Sequence, residues 1–342
     1  MKLNKLITVL ILCCVQFTNA QEIKTPLLRN IGEKAPELTV AKWVKGQQVN
    51  SFVKGRVYVV EFWATWCLPC IAGMPHLSAI AKEYKDEVTV LGISVMEKAA
   101  TDQSVIEKFV AGMGDKMNYT VGFEMERTMT KNWLNAYGER GIPCAFIVDR
   151  DSRIAWLGHP QQLDKILPQI ISGKWNIEIA ATQRKEMKRL TVLDQNIVIS
   201  TMNPLMGNPG NPQAALAAID KMVSANPGLR YFHNTGHFTF WSLIKTDPEK
   251  ALAFGKAWIA ANDEPRFSTI TDAVTDRPNL PADLYIFAAD AYQAQLDRYP
   301  WSMDFKQTYK RMADLYTKAG KPGKAKELMK KAEAAPGKTN IG

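Results

Sequence analysis

Two cysteines, Cys67 and Cys70, stand three apart in a chain of 342 residues that holds 5 cysteines in all. A pair that close encloses too small a loop to staple a fold, so its chemistry is metal binding or redox exchange. Zinc would need a second ligand pair, and the chain has no other C-x-x-C and no C-x-x-H. Redox exchange is the stronger reading: one sulfur attacks an incoming disulfide, and the second resolves the mixed disulfide. Upstream, Glu61 interrupts an otherwise apolar run. A carboxylate is expensive to bury there unless it is neutral or paired, so its pKa should rise. Cys144 opens a second apolar stretch and is a third thiol. His233 and His237 sit at i, i+4 in HNTGH, without the intervening glutamate of a zinc protease. They carry no expected chemistry, nor do His76 and His159, and no metal site is expected.

Other elements must hold the first sulfur where it can ionise. Residues 56–63 (RVYVVEFW) form a continuous apolar, β-branched and aromatic run, the pattern of a strand covered on both faces. After it, Ile71, Met74, Leu77, Ile80 and Ala81 recur at helical spacing within residues 67–84. Cys67 thus falls in the first turn of a helix, where unpaired N–H groups and the helix dipole favour a thiolate. Upstream, residues 32–36 read as a loop, and residues 37–44 and 47–52 as a hairpin around Lys45-Gly46. Downstream come strand 88–95, helix 101–110 capped by Thr101 or Asp102, strand 119–123 and helix 124–137 ended by Gly138. Residues 144–149 and 154–158 read as a hairpin, and residues 163–171 as a closing helix. This alternation predicts an α/β fold, a central mixed sheet with helices on both faces.

From about residue 182 the strand signal fades and alanine-rich helical patterns replace it, which places a boundary at 175–182. Ala313, Tyr316, Gly320, Ala325, Met329, Ala332 and Pro336 fall at the offsets of one tetratricopeptide unit, and Ala215, Ile219, Met222 and Pro227 match half of another. Small residues there let paired helices approach, and Tyr or Met fills the groove. Residues 182–342 are therefore expected to be all-α, either degenerate tetratricopeptide-like repeats or a generic bundle.

The segment VEFWATWCLPC, residues 60–70, resembles the active-site segment of the thioredoxin superfamily, specifically its exported TlpA/ResA-like thiol–disulfide oxidoreductases. Pro75 in the following helix and Gly141-Ile142-Pro143 before a strand extend the resemblance over residues 30–172. It implies a thioredoxin-like fold with Cys67 as nucleophile and Cys70 as the more buried resolving thiol. Glu61 stands where thioredoxins keep a buried aspartate and would accept the Cys70 proton; a satisfied structural carboxyl is the alternative. Pro143 would be cis, with the Ile142 backbone pairing to a substrate chain. Trp66 would give the substrate an apolar contact, or pack into the core. Cys144 replaces the family's usual polar residue; it is either a small buried strand residue or a thiol that traps Cys67.

No cofactor is implied beyond the Cys67–Cys70 disulfide. The implied partners are protein disulfides or thiols (apocytochrome c or misoxidised envelope proteins) and a membrane electron donor, with a client docking on the helical part. Leu68-Pro69 contains no cation, which favours reductase over oxidase work. A peroxiredoxin-like peroxidase remains an alternative, although Val60 and Ala64 occupy its usual Pro and Thr/Ser positions. An envelope adaptor, with the helical part binding a partner, is another.

Composition agrees with a packed globular protein, 46% hydrophobic and 23% charged. The formal charge of +9 owes much to Lys318, Lys321, Lys324, Lys326, Lys330 and Lys331. Those lysines read as a solvated helix surface, so no nucleic-acid partner is expected. Residues 1–20 read as a signal peptide: Lys2 and Lys5, an apolar run over 6–15, then Thr18-Asn19-Ala20. Cleavage near Ala20 would remove Cys13 and Cys14 and leave a thioredoxin-like domain over 21–175 in a Gram-negative periplasm. Lipidation at Cys13 is disfavoured by Leu12 before it.

Overall fold

The structure, a computed structural model, describes residues 28–98, 101–124, 126–198, 210–262 and 265–335. The signal peptide expected over 1–20, with Cys13 and Cys14, lies outside the described residues, as does Pro336. Among the described residues no helix is long and apolar enough to cross a membrane.

Six strands form one sheet in the order β1-β4-β3-β2-β5-β6. They are β1 Val40–Lys45, β2 Val57–Trp63, β3 Val88–Ser94, β4 Thr120–Glu124, β5 Cys144–Val148 and β6 Ile154–Gly158. β2 runs parallel to β3, and β3 to β4, while β1–β4, β2–β5 and β5–β6 are antiparallel. Every residue of β2 is buried, which is why its sequence shows no alternation. Val57, Val59 and Trp63 join the core beneath α1 (Leu68–Glu83), α2 (Gln103–Met113) and α3 (Leu163–Ile171). Tyr58, Val60 and Phe62 join the core on the other face, with Met129, Trp133 and Tyr137. There Phe62, Trp133 and Tyr137 each meet Phe146 edge to face, at centroid distances of 5.6, 5.3 and 5.3 Å. Such pairs add about 0.5–1.5 kcal/mol each beyond the area they bury.

Two expected elements are corrected. The hairpin over 37–44 and 47–52 does not form. β1 pairs instead with β4, and residues 47–52 hold no strand. Gly46, at φ 75°, passes so close to β4 that a Cβ there would lie 2.6 Å from Thr120 Oγ1. Phe52 then folds back on Tyr58 and Trp133, at 5.0 and 6.0 Å between centroids. The regular helix over 124–137 is likewise replaced. Glu124 ends β4, and its carboxylate accepts the Thr130 N–H at 2.7 Å and the Thr130 hydroxyl at 2.6 Å. A π-turn over Thr130–Leu134 and a 3-10 turn over Asn135–Tyr137 follow, ended by Gly138 at φ 74°.

The described residues that follow are mainly helical: α4 Ile177–Ile197, α5 Pro212–Ala225, α6 His233–Thr246, α7 Pro248–Ala260, α8 Phe267–Val274, α9 Ala282–Arg298, α10 Phe305–Lys318 and α11 Pro322–Ala334. Sequence neighbours pack on one another from α5 to α7 and from α8 to α11. Ala313, Ala325 and Ala332 are buried at these contacts, whereas Met329, expected to fill a groove, is 40% exposed. It sits on the solvent side of α11 and does not fill that groove.

α4 runs unbroken from one part of the chain into the other. Ala180 packs in the core behind the sheet, and Leu190 and Ile197 pack with Ala215 and Ile219 of α5. Between them the Arg184 guanidinium donates to the Tyr137 carbonyl and to the Glu139 carboxylate, both at 2.7 Å. Lys188 donates to the same carbonyl. The Arg184 side chain is only 14% exposed, so its loss leaves the partly buried Glu139 carboxylate short of this donor, while Lys188 still serves the Tyr137 carbonyl. Arg184→Ala is expected to cost about 1.5–3 kcal/mol, read as a lower urea midpoint at unchanged slope. An unchanged midpoint would show that this clamp holds nothing.

Candidate active site

β2 ends at Trp63, and a tight turn closed by the Cys67 N–H to the Ala64 carbonyl, 3.0 Å, carries the chain to α1. Two carboxylates pin the surrounding loops. Glu97 accepts the Thr65 N–H at 2.8 Å and the hydroxyls of Thr65 and Ser94, each at 2.7 Å. Glu124 accepts the Met96 N–H at 3.1 Å, and the Met96 carbonyl accepts the Trp66 indole N–H at 3.0 Å. The Trp66 ring is thereby fixed by its polar edge yet 44% exposed, placing it as an apolar surface beside Cys67.

Cys67 is the N-cap of α1, in extended conformation, and its sulfur accepts the Cys70 backbone N–H at 3.3 Å. The two cysteines form a disulfide with Cα atoms 5.3 Å apart. Pro69 lies in the first turn, where its missing N–H costs nothing, and the Cys70 N–H, in the same turn with no helical carbonyl to meet, serves the sulfur. The two residues are almost equally covered, 3% and 2% exposed, where the resemblance implies a distinctly deeper Cys70. Pro75 lies inside α1, and the Ile142–Pro143 peptide is cis. Ile142 is half-buried and packs against the cores on both faces of the sheet.

Glu61 is 1% exposed, opposite Gly92 of β3 and Ala145 of β5. Among the described residues its Oε2 has no hydrogen-bond partner, and burial pushes its pKa up to about 8. Gly92 leaves room for the Tyr119 ring: a Cβ there would lie 2.7 Å from Tyr119 Cε2. Burial, and secondarily the nearby Glu61 charge, raises the Tyr119 pKa well above its ordinary value. Glu61, Cys70 and Pro143 line one cleft of about 230 Å³, together with Pro69, His76 and Trp301. His76 meets Asp164 at 2.8 Å in that cleft, and His159 Nδ1 accepts the Gln161 N–H at 3.3 Å. On α6, burial pushes His233 down to about 4, and His237 lies 3.3 Å from the Thr269 hydroxyl.

Cys144 pairs with Phe62 across β2–β5, and both side chains join the core on the face opposite Cys67 and Cys70. Burial raises its pKa well above the ordinary thiol value. The structure thus brings Glu61, Cys70 and Pro143 together, sets Cys67 and Trp66 at the mouth of α1, and turns Cys144 away. Glu97, Met96 and Trp301 were not among the expected residues. Glu97, at the end of the apolar β3 run, was the only one with a sequence signal.

Residues 31–157 match the AhpC/TSA family. Among curated proteins, FixW of Rhizobium leguminosarum is 29% identical over 206 residues, covering 58% of this chain and 92% of FixW. The thiol–disulfide oxidoreductase ResA of Bacillus thuringiensis subsp. konkukian is 28% identical over 162 residues, covering 45% of this chain and 87% of ResA. Among solved structures, a thiol–disulfide isomerase from Corynebacterium glutamicum matches at 24% identity and a TM-score of 0.35, over 40% of this chain and 97% of that one.

Two predictions follow from the burial of these groups. Between the ordinary carboxyl value of 4.5 and about 8, the unfolded chain releases a proton that folded Glu61 keeps. Stability of the oxidised protein should therefore fall as pH rises through that window, by up to about 1.4 kcal/mol per unit, relative to Glu61→Gln. Parallel pH profiles of the denaturation midpoint for the two proteins would discard a neutral buried Glu61. Cys144 should resist iodoacetamide in the native protein, and mass spectrometry of the air-oxidised chain should find the Cys67–Cys70 link; a bond from either to Cys144 would contradict its placement.

Proposed function

We propose that this chain is an exported thiol–disulfide oxidoreductase that reduces protein disulfides. The observation that carries the reading is the Cys67 sulfur at the N-cap of α1, with the Cys70 N–H aimed at it. A helix N-terminus and an N–H donor both favour a sulfur anion. The Cys67 thiolate attacks one sulfur of a substrate disulfide. The Cys67–substrate bond forms, the substrate S–S bond breaks, and the first substrate thiolate leaves and takes a proton. Glu61, once ionised, takes the Cys70 proton, and Cys70 attacks Cys67 Sγ; the second substrate thiolate leaves and is protonated, and the Cys67–Cys70 disulfide closes. Two electrons pass to the substrate, and a dithiol donor returns them. A carboxyl titrating at about 8 sits close to the ~8.5 of a free thiol, so this proton moves at little cost in either direction.

The absence of a cation in Leu68-Pro69 supports the reductase direction, because nothing in that dipeptide over-stabilises the thiolate. The leader-like residues 1–20 support export, and with it a periplasmic client and a membrane protein as electron donor. The helical part, read as tetratricopeptide-like, supplies a surface on which a client docks. A peroxidase lacks its Pro and Thr/Ser partners here, since Val60 and Ala64 are both fully buried apolar residues.

With dithiothreitol as electron source, the full chain should reduce insulin and consume hydrogen peroxide far more slowly. Cys67→Ser should abolish turnover, Cys70→Ser should trap a mixed disulfide on Cys67, and Glu61→Gln should slow turnover several-fold. Peroxide consumption that matches or exceeds insulin reduction would overturn the reductase reading.

A further inference from the structure

We propose that Trp301, from the helical part of the chain, is a specificity residue that seats an apolar side chain of the substrate polypeptide next to the attacked cysteine. The proposal rests on the thiol–disulfide reading above and names the substrate feature that the site selects. Trp301 lies on a 3-10 turn, Pro300–Ser302, that packs against α1. This contact brings a half-buried indole to the cleft that Cys70 and Glu61 line from within.

The turn is a built feature. The Ser302 N–H and hydroxyl donate to the Tyr299 carbonyl at 3.0 and 2.9 Å. The Trp301 ring meets Tyr299 edge to face, 5.9 Å between centroids, and the Arg298 guanidinium lies 5.7 Å from the Tyr299 ring centre. Both residues adjoin the end of α9, whose Tyr292 and Leu296 are held in the helical core. The indole is therefore referenced to packed helices on one side and to α1 on the other.

Size and chemistry narrow the occupant. A cleft of about 230 Å³ is smaller than the roughly 300–1,000 Å³ of a small-molecule site, so it suits one side chain of a longer chain. Pro69, Leu77, Pro143, Pro160 and Trp301 make its walls largely apolar. A polypeptide paired along Ile142 with its cysteine at Cys67 would direct a neighbouring side chain toward this cleft. An aliphatic or aromatic residue gains there by leaving water, whereas a small polar one gains little.

The test uses the full chain, its Trp301→Ala and Trp301→Phe variants, and dithiothreitol as electron source. Three probes are compared: two disulfide-linked peptides that differ only in Leu or Ser beside the cysteine, and hydroxyethyl disulfide. Trp301→Ala should lower kcat/KM for the Leu peptide about tenfold, through KM, with the other two probes within twofold. Trp301→Phe should retain most of the Leu preference. An unchanged Leu preference in Trp301→Ala, or an equal loss on all three probes, would overturn the proposal. Wild-type protein inactive on every probe would instead overturn the oxidoreductase reading itself, before any variant is compared.

Discussion

One backbone N–H, that of Cys70, points at the Cys67 sulfur from 3.3 Å, and much of the α/β part serves to keep it there. The contact needs a strand that stops at Trp63, a loop that turns within three residues, and a helix whose first residues leave donors unpaired. Glu97 and Glu124 hold that loop and its neighbour through hydrogen bonds to Thr65, Ser94 and Met96. The field at a helix N-terminus is worth about 0.3–2 kcal/mol to an anion. That is a modest bias, and it suits a sulfur that must leave its disulfide as readily as it enters one.

Beneath it, Glu61 sets the opposing constraint. It is the one charged residue in a strand whose seven residues are all buried, and burial alone accounts for its raised pKa. A hydrophobic residue would pack there without desolvating a carboxyl, so the fold bears a cost that local packing does not offset. Gly92 lets the Tyr119 ring lie over β3, near enough to Glu61 that a charge there would raise the Tyr119 pKa. That carboxyl, held largely neutral, lines the same cleft as Cys70.

The elements that were legible in the sequence are those fixed by local pattern. β2, α1, β3, the β5–β6 pair and α3 all follow from apolar runs or helical spacing, and Asp102, one of the two expected caps, does cap α2. What failed was set by distant partners. Residues 47–52 read as a strand from their local sequence, but β1 pairs with β4 and Phe52 is drawn onto Tyr58 and Trp133. The segment after Glu124 has helical spacing, yet that carboxylate lies at the strand end and caps it from outside. The chemistry followed the same division. The C-x-x-C pair and the buried carboxyl were readable from type and spacing. The face on which Cys144 lies depends on its register against Phe62, and the approach of Trp301 depends on a packing contact more than two hundred residues from Cys70.

Among the described residues the helical part touches the α/β part on both faces of the sheet. Arg184 and Lys188 of α4 hold the Tyr137–Glu139 segment, which belongs to the core on the side away from the disulfide. The Pro300–Ser302 turn reaches α1, on the disulfide side. A region attached at one point could swing without altering the cleft, but attachment at both faces sets the position of Trp301 against α1. The chain's own helices therefore occupy one side of the cleft, while the exposed Trp66 lies outside its lining, at the mouth of α1. That asymmetry constrains a polypeptide substrate more than the C-x-x-C pair alone could, because any disulfide fits two sulfurs, whereas a bounded cleft admits only some of the residues that flank it.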